Sequence, residues 1–415
     1  MNIIKLTLCL MLSFIFSQGA LDQYDVPEYE YKTFQLSGDD LFSTMTNGDY
    51  SETNMNIGAN YMSVSQAPGR NCMYGLSFDF TSYSESDADF PDDDIDESNW
   101  TMIAPFAFDQ YLSDTKGLFG FAEGSFDTFG GDDADGVDDT SDLLLTVGGG
   151  FGRVVSARPI AQAYAIADAL GVDASDEIIL AIATVLGAEA SYASIYKDDA
   201  TQQFYNDLAE AAGSAGSAMQ IQKVLTSPAY SISDRYTGWS VKGGLWNNYM
   251  RAEGDDNAGA FTLEANYAHP MGMDSQVMVS FVYAMDMNDD DTLVMWESTI
   301  LNQFFATAGL EDDGYGYGYT INGGGAAMNL GVTYTLDHSY NWSTSADFNY
   351  LSETYGVGEN EFSDNGMFLT VSTTKAILNQ MSVTASLKYI ALGGDSFEDS
   401  DPITAISTTV TYWVF

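Results

Sequence analysis

Carboxylates carry the densest chemistry in this chain. Residues 85–97 hold Glu85, Asp87, Asp89, Asp92, Asp93, Asp94, Asp96 and Glu97, and residues 132–142 hold Asp132, Asp133, Asp135, Asp138, Asp139 and Asp142. Hard oxygen ligands grouped near glycine suit Ca²⁺, which makes Asp92, Asp94, Asp133 and Asp135 the candidate metal ligands. Asp133-Ala134-Asp135-Gly136 falls short of an EF-hand loop, because no bidentate glutamate stands at the twelfth position. The plainer alternative is a solvated, self-repelling surface that concentrates cations around it.

Asp337-His338-Ser339 sets three hydrolytic residue types side by side. Neighbours on one turn do not converge as nucleophile, base and orienter must, so no catalytic residue is assigned and no enzyme is expected. The other histidine, His269, falls in another expected turn. Gly148-Gly149-Gly150-Phe151-Gly152 resembles a phosphate loop but lacks its Lys-Ser/Thr end. Close backbone approach at a strand end explains it better.

The chain has 415 residues, with 60 Asp or Glu against 13 Lys or Arg and a formal net charge of −47. A nucleic-acid binder needs clustered Lys and Arg to displace counterions, and with no basic patch that partner is excluded. Hydrophobic residues make up 45% of the chain, which argues against global disorder. Residues 1–19 read as an export signal: Lys5, an apolar stretch from Leu6 to Phe16, then Ser17 and Gly19 before a cut at Ala20. Its removal leaves Cys72 as the single cysteine, so no internal disulfide, zinc site or haem site is expected, and no cofactor beyond the Ca²⁺ candidates.

No later apolar run reaches the roughly 20 residues of a membrane helix. The chain instead alternates with period two. In 53–63, Met55, Ile57, Ala59 and Tyr61 oppose Asn54, Asn56, Gly58 and Asn60. In 72–82, Cys72, Tyr74, Leu76, Phe78 and Phe80 oppose Gly75, Ser77, Asp79 and Thr81. Residues 261–267, 328–336, 341–350 and 381–389 repeat the pattern, with Glu264, Asn329, Asp347, Asn349 and Lys388 on their polar faces. Looser runs at 100–112, 118–129, 142–152, 236–250, 275–287 and 364–374 are further strands, and one weakly patterned strand lies within 30–48. A soluble sandwich alternates too. Strands of about ten residues, apolar faces ending in Tyr, Trp or Phe, and small wettable polar faces favour a membrane barrel.

The chain ends Thr411-Tyr412-Trp413-Val414-Phe415. Together with the export signal and the alternation, this ending resembles the bacterial outer-membrane β-barrel superfamily, the porin-like proteins. Their last strand commonly ends in Phe with apolar residues at alternate positions before it. Phe415 and Trp413 match, while Thr411, Thr409 and Ser407 depart from the pattern. The resemblance is architectural and points to no particular family. It implies the cell outer membrane of a Gram-negative-type cell, outer-membrane lipid as the surroundings and insertion by the barrel assembly machinery.

The expected fold is thus an all-β transmembrane antiparallel barrel of about 14 strands, within roughly 12–16, with an α-helical insert on the periplasmic side. Residues 1–19 are the signal peptide, 20–154 the first part of the barrel, 155–226 the insert and 227–415 the second part, ending in the C-terminal Phe strand. Short links at 65–71, 113–117, 269–274, 337–341 and 376–380 go to the periplasmic side. Acidic links at 84–98, 130–142, 253–258, 288–324, 353–363 and 392–402 go outside. An even strand count makes 288–324 one outer loop, with Thr292–Leu310 a helix or lid inside it. In the insert, Ile160–Leu170, Ile178 to about Lys197 and Thr201–Ala212 read as helices. The insert either packs under the barrel, enters it as a plug, or docks a periplasmic partner.

Asn56, Asn60, Asp79, Lys242, Glu264, Asn329, Asp347, Asn349 and Lys388 are the expected pore-lining residues. The expected function is a porin-like passive diffusion channel for small hydrophilic solutes, cation-preferring through its acidic outer loops. A non-conducting structural or adhesive surface barrel is the alternative, with a barrel hydrolase third. Monomer and homo-oligomer both remain open, and the sequence names no solute.

Overall fold

The structure is a computed structural model. It describes residues 19–412 except 25–27, 38–41, 48–49, 88–94, 113–114, 133–139, 215–216, 227–234, 250–257, 272–273, 288–292, 298–317, 323–324, 340, 358–359, 379–380 and 398–399. The export signal before Gly19, and Trp413 and Phe415 at the chain end, lie outside the described residues.

Residues that alternate between branched or aromatic and small polar side chains suit a pleated surface with two unlike sides. They form β1 (Tyr29–Ser37), β2 (Ser43–Asn47), β3 (Tyr50–Ala67), β4 (Arg70–Asp87), β5 (Ile95–Tyr111), β6 (Leu118–Asp132), β7 (Thr140–Ser156), β8 (Tyr236–Tyr249) and β9 (Ala258–Pro270). There follow β10 (Ser275–Asp286), β11 (Leu293–Glu297), β12 (Gly318–Asn322), β13 (Ala326–Ser339), β14 (Trp342–Val357), β15 (Asn360–Leu378), β16 (Met381–Gly394) and β17 (Ile403–Tyr412).

Hydrogen-bonded neighbours run β1-β3-β4-β5-β6-β7-β8-β9-β10-β13-β14-β15-β16-β17, fourteen strands in sequence order, with β2 beside β3 as the fifteenth. Every pairing is antiparallel. β1 and β2 both lie along β3: Tyr29–Ser37 pairs with Gly58–Gln66 and Ser43–Asn47 with Tyr50–Asn54. The weak strand expected within 30–48 lies here. The path ends at β1 and β17, and among the described residues these two are not paired with each other.

Two differences from expectation have physical causes. The strands on the path reach 19 residues in β15, well beyond about ten. The extra length is acidic tip: Glu353 pairs with Asp364 and Gly356 with Glu361, so most of 353–363 is ladder rather than loop. Backbone pairing needs no apolar face, so it continues where alternation has already ended. Within 288–324, Leu293–Glu297 is a strand rather than helix, and it pairs with Gly318–Asn322 in a separate ribbon; the rest of the expected helix or lid over Thr292–Leu310 lies outside the described residues. Leu293-Val294-Met295-Trp296 is apolar and partly β-branched or aromatic, and a short run of that kind reads equally as strand or helix until a partner decides.

The insert between β7 and β8 holds α2 (Arg158–Leu170), α3 (Asp176–Gly187), α4 (Glu189–Tyr196), α5 (Ala200–Ala211) and α6 (Ala218–Thr226). Pro159 sits in the first turn of α2, where its missing N–H costs no helix bond. Gly171 ends α2 in a left-handed cap, φ 64°. The single helix expected over 178–197 is two, α3 and α4, divided at Gly187 and Ala188. Ile160, Ile166, Ile179, Ile182, Leu208 and Ile221 are fully buried in one core. A short N-terminal helix, α1 (Gly19–Gln23), joins that core through Ala20 and Leu21, followed by Tyr24. The start of the segment assigned to the barrel's first part therefore packs with the helices. The apolar spacing there is too short to reveal a partner more than a hundred residues away. No single helix among the described residues is long and apolar enough to cross a membrane.

Candidate functional site

Paired residues in an antiparallel ladder point to the same side, and successive residues to opposite sides. The register therefore carries one face through the whole sheet. Asn60 pairs with Ser77, Ser77 with Ile103 and Ile103 with Asp127. Glu123, on the same side of β6 as Asp127, pairs with Thr146, and Thr146 with Trp246. Lys242, on Trp246's side of β8, pairs with Glu264, Glu264 with Val282 and Val282 with Asn329. Asn329 pairs with Leu351, while Asp347, on the same side of β14, pairs with Thr370, Thr370 with Lys388 and Lys388 with Ala405. All nine sequence-chosen lining residues fall on this one face.

The opposite face is mostly apolar. Ile57 pairs with Phe80, Tyr61 with Leu76, Val147 with Leu245, Val332 with Phe348 and Leu387 with Ile406. Much of it is exposed: Leu76, Phe78, Val147, Phe151, Leu245 and Leu387 each show more than a third of their surface, and Ile406 80%. An apolar exposed surface this extensive marks a contact with lipid or another apolar partner.

The polar face has a charged centre. Lys242 Nζ donates to both Glu123 oxygens, at 3.0 and 2.9 Å, and lies 3.3 Å from Glu264 Oε2. Lys242 and Glu123 are separated by β7, and the stretch is open because Gly148 and Gly150 carry no side chain there. A Cβ on Gly148 would meet the Gly243 carbonyl oxygen at 2.1 Å, and one on Gly150 would meet the Phe119 ring at 2.4 Å. The glycine run is therefore a flat bed for Lys242 and the rings of Phe119 and Phe121. The ammonium also sits 5.0 Å from the Phe121 ring centre, within cation–π range. Sequence reading found Lys242 and Glu264 but missed Glu123. The loose alternation of 118–129 held the clue, because Ala122-Glu123-Gly124 places an acid inside a strand.

At the short-turn end, two buried arginines cross between strands. Arg153 donates to the carbonyl oxygens of Pro68 (2.8 Å), Thr115 and Ala67 and to Asn71 Oδ1, and stacks on Tyr111 at 4.7 Å. Arg235 donates to Asp337 at 2.5 Å, reaching from the start of β8 past β9 and β10 to the end of β13. Near the other end, Leu351, Phe368 and Ile390 make a small dry cluster on the polar face, with Leu392 and Phe397 against it. That face is thus polar with two apolar islands. Asn329 Oδ1 is buried without a hydrogen-bond partner among the described residues.

Asp337, His338 and Ser339 take separate partners: Arg235, Thr344 Oγ1 at 2.9 Å, and Asn341 Oδ1. They do not converge. Asp92, Asp94, Asp133 and Asp135 lie outside the described residues. Among the described residues, no group of three or more metal-ligating side chains gathers.

Ladder, faces and insert together define an antiparallel all-β sheet protein of the barrel type with a helical insert. No protein-family model and no curated protein matches the chain. Among solved structures, it is similar to the translocator domain of the autotransporter NalP from Neisseria meningitidis, at 10% identity and TM-score 0.22 over 95% of this chain and 91% of that one. It is also similar to the toluene transporter TodX of Pseudomonas putida, at 10% identity and TM-score 0.21 over 92% and 84%. A third is the copper transporter OprC, at 8% identity and TM-score 0.25 over 94% and 81%. These are outer-membrane β-barrel proteins. The fold stated here rests on the ladder itself, and these likenesses add no weight to it.

Proposed function

We propose that the chain is an outer-membrane channel through which small hydrophilic solutes diffuse, cations ahead of anions. One observation carries this reading: the register carries one mostly apolar, exposed face and one mostly polar face through fourteen strands. In hydrocarbon, an unpaired strand edge leaves rows of N–H and C=O groups unsatisfied. In this reading β17 meets β1 in the membrane and the polar face encloses water. The formal charge of −47 and the acidic outer links support cation enrichment at the mouth. Divalent cations at Asp92, Asp94, Asp133 and Asp135 belong to the same proposal.

Reconstitution into a planar bilayer tests it. Stepwise conductance with a cation-selective reversal potential is expected; no steps, or anion preference, rejects it. A second reading, a closed surface barrel, is favoured by Arg235 spanning the short-turn end and by the buried rings of Tyr111, Phe119 and Phe121 on the polar face. Stable insertion without conductance would select it.

A further inference from the structure

The helical insert leaves the sheet between β7 and β8, the sixth and seventh strands of the path, and touches it again at the first. Its neck is closed by the Ala157 N–H, which donates to the Arg235 carbonyl oxygen at 2.7 Å. At β1, the Glu30 N–H donates to Ser191 Oγ of α4 at 3.0 Å, and Ser194 Oγ reaches the Glu30 carbonyl oxygen at 3.5 Å. A helix thus takes backbone groups at an edge of the sheet that a strand would otherwise take. Tyr24, shortly before β1, is buried in the insert's own core. The insert is a strap running from the β7–β8 pair to the start of β1.

Arg153 shows that the wall between those two anchors is drawn together. Ala67 ends β3, four strand steps from β7, which is about 19 Å along a sheet. One arginine side chain is far shorter than that. Yet the Arg153 guanidinium donates to the carbonyl oxygens of Ala67 at 3.3 Å, Pro68 at 2.8 Å and Thr115 at 3.3 Å, and it lies over the Tyr111 ring. Tyr29 on β1 is within electrostatic reach of the same group. Tyr111 stands on the polar face, so the short-turn end curls toward that face and Arg153 fills the curl. Across the neck, Arg235 ties to Asp337 at the end of β13, three strand steps from β8. None of these contacts belongs to a strand ladder. They can break while every strand pairing stays.

We propose that the short-turn mouth is a gate: the Arg153 contacts close it, the strap from α4 to β1 holds it closed, and it opens when α4 leaves β1 and the wall uncurls. The proposal rests on the channel reading and adds a closed state to it, with named contacts that separate closed from open.

Single-channel recording on the full chain in planar bilayers tests it. Ser191→Ala is expected to raise the open-to-closed ratio about fivefold, the weight of one hydrogen bond. Arg153→Lys keeps the charge but loses the planar fork that meets several acceptors, and the ratio should rise at least about tenfold. Met219→Ser, on an exposed part of α6, leaves the ratio unchanged. Glu30→Cys with Ser191→Cys, in a Cys72→Ala background and bridged by a reducible cross-linker, should stay closed until the bridge is reduced. An unchanged ratio in either Ser191→Ala or Arg153→Lys, an equal rise in Met219→Ser, or undiminished conductance of the bridged protein overturns the gate and leaves the channel standing. Ser191→Ala and the bridge decide alone should Arg153→Lys fail to fold. Silence of the wild type and of every variant, with the protein inserted, overturns channel and gate together.

Discussion

The helical insert and the sheet solve the hydrophobic problem in opposite directions. The insert turns its Ile, Leu and Ala inward, and Ile166, Ile182, Leu208 and Ile221 are fully buried against one another. The sheet turns comparable residues outward and leaves Leu76, Leu245, Leu387 and Ile406 exposed. Burying one such side chain is worth about 1.5–3 kcal/mol in water, so a water-soluble sheet would not leave so many out. The difference teaches that one chain is written for two solvents. The insert is built for water. The sheet's apolar face is built for something as apolar as itself.

The sharpest way to break this comparison uses adjacent residues of β13. Val332 lies on the apolar face, beside Phe348, and Thr333 on the polar face, beside Asp347. Val332→Arg is expected to cost about 2–4 kcal/mol of membrane stability, while Thr333→Arg is tolerated. Urea titration of the protein folded in lipid vesicles reads both, and equal effects would remove the two-face assignment. Leu208→Ala tests the other region. It should cost about 2–5 kcal/mol of insert stability through the cavity it leaves. Loss of the helical far-ultraviolet signal, with the strand signal retained, is the expected melt; simultaneous loss of both would mean that the regions fold as one.

Lys242→Met removes the only cation between Glu123 and Glu264 at the centre of the polar face, among the described residues. With both carboxylates uncompensated, the cation-over-anion permeability ratio should rise severalfold at low salt, read as a shift in reversal potential. An unchanged potential would place this trio off the ion path. The smallest effect concerns Tyr24, buried in the helical core with its hydroxyl unpartnered among the described residues. Tyr24→Phe removes an unsatisfied polar atom and should stabilise the insert by about 1 kcal/mol. Burial also raises the Tyr24 phenol well above its usual range. Above about pH 10 the unfolded chain releases a proton that the folded one keeps, so insert stability falls as pH rises. The part of that alkaline loss due to Tyr24 should disappear in Tyr24→Phe; an unaltered profile would contradict it.

Much of the sheet was legible because period-two alternation is a local property. The polar members of 53–63 and 341–350 stand on one face simply because their neighbours are apolar. The candidate lining was legible for the same reason, as with Lys242 and Glu264. Other features were not. Glu123 joins Lys242 only because two glycines of an intervening strand leave room. Phe368 and Leu351 occupy the polar face because a dry cluster forms there.

By itself, the sequence determined the strand character, the two-faced chemistry of each strand and the presence of a helical insert, because those depend on periodicity and on residues a few positions apart. Only the tertiary structure decided which strands continue one another's faces, that Ala20, Leu21 and Tyr24 complete the helical core, and that Glu123 reaches Lys242 across an intervening strand. Those are pairings between residues tens to more than a hundred positions apart, and distance along a chain carries no record of distance in space.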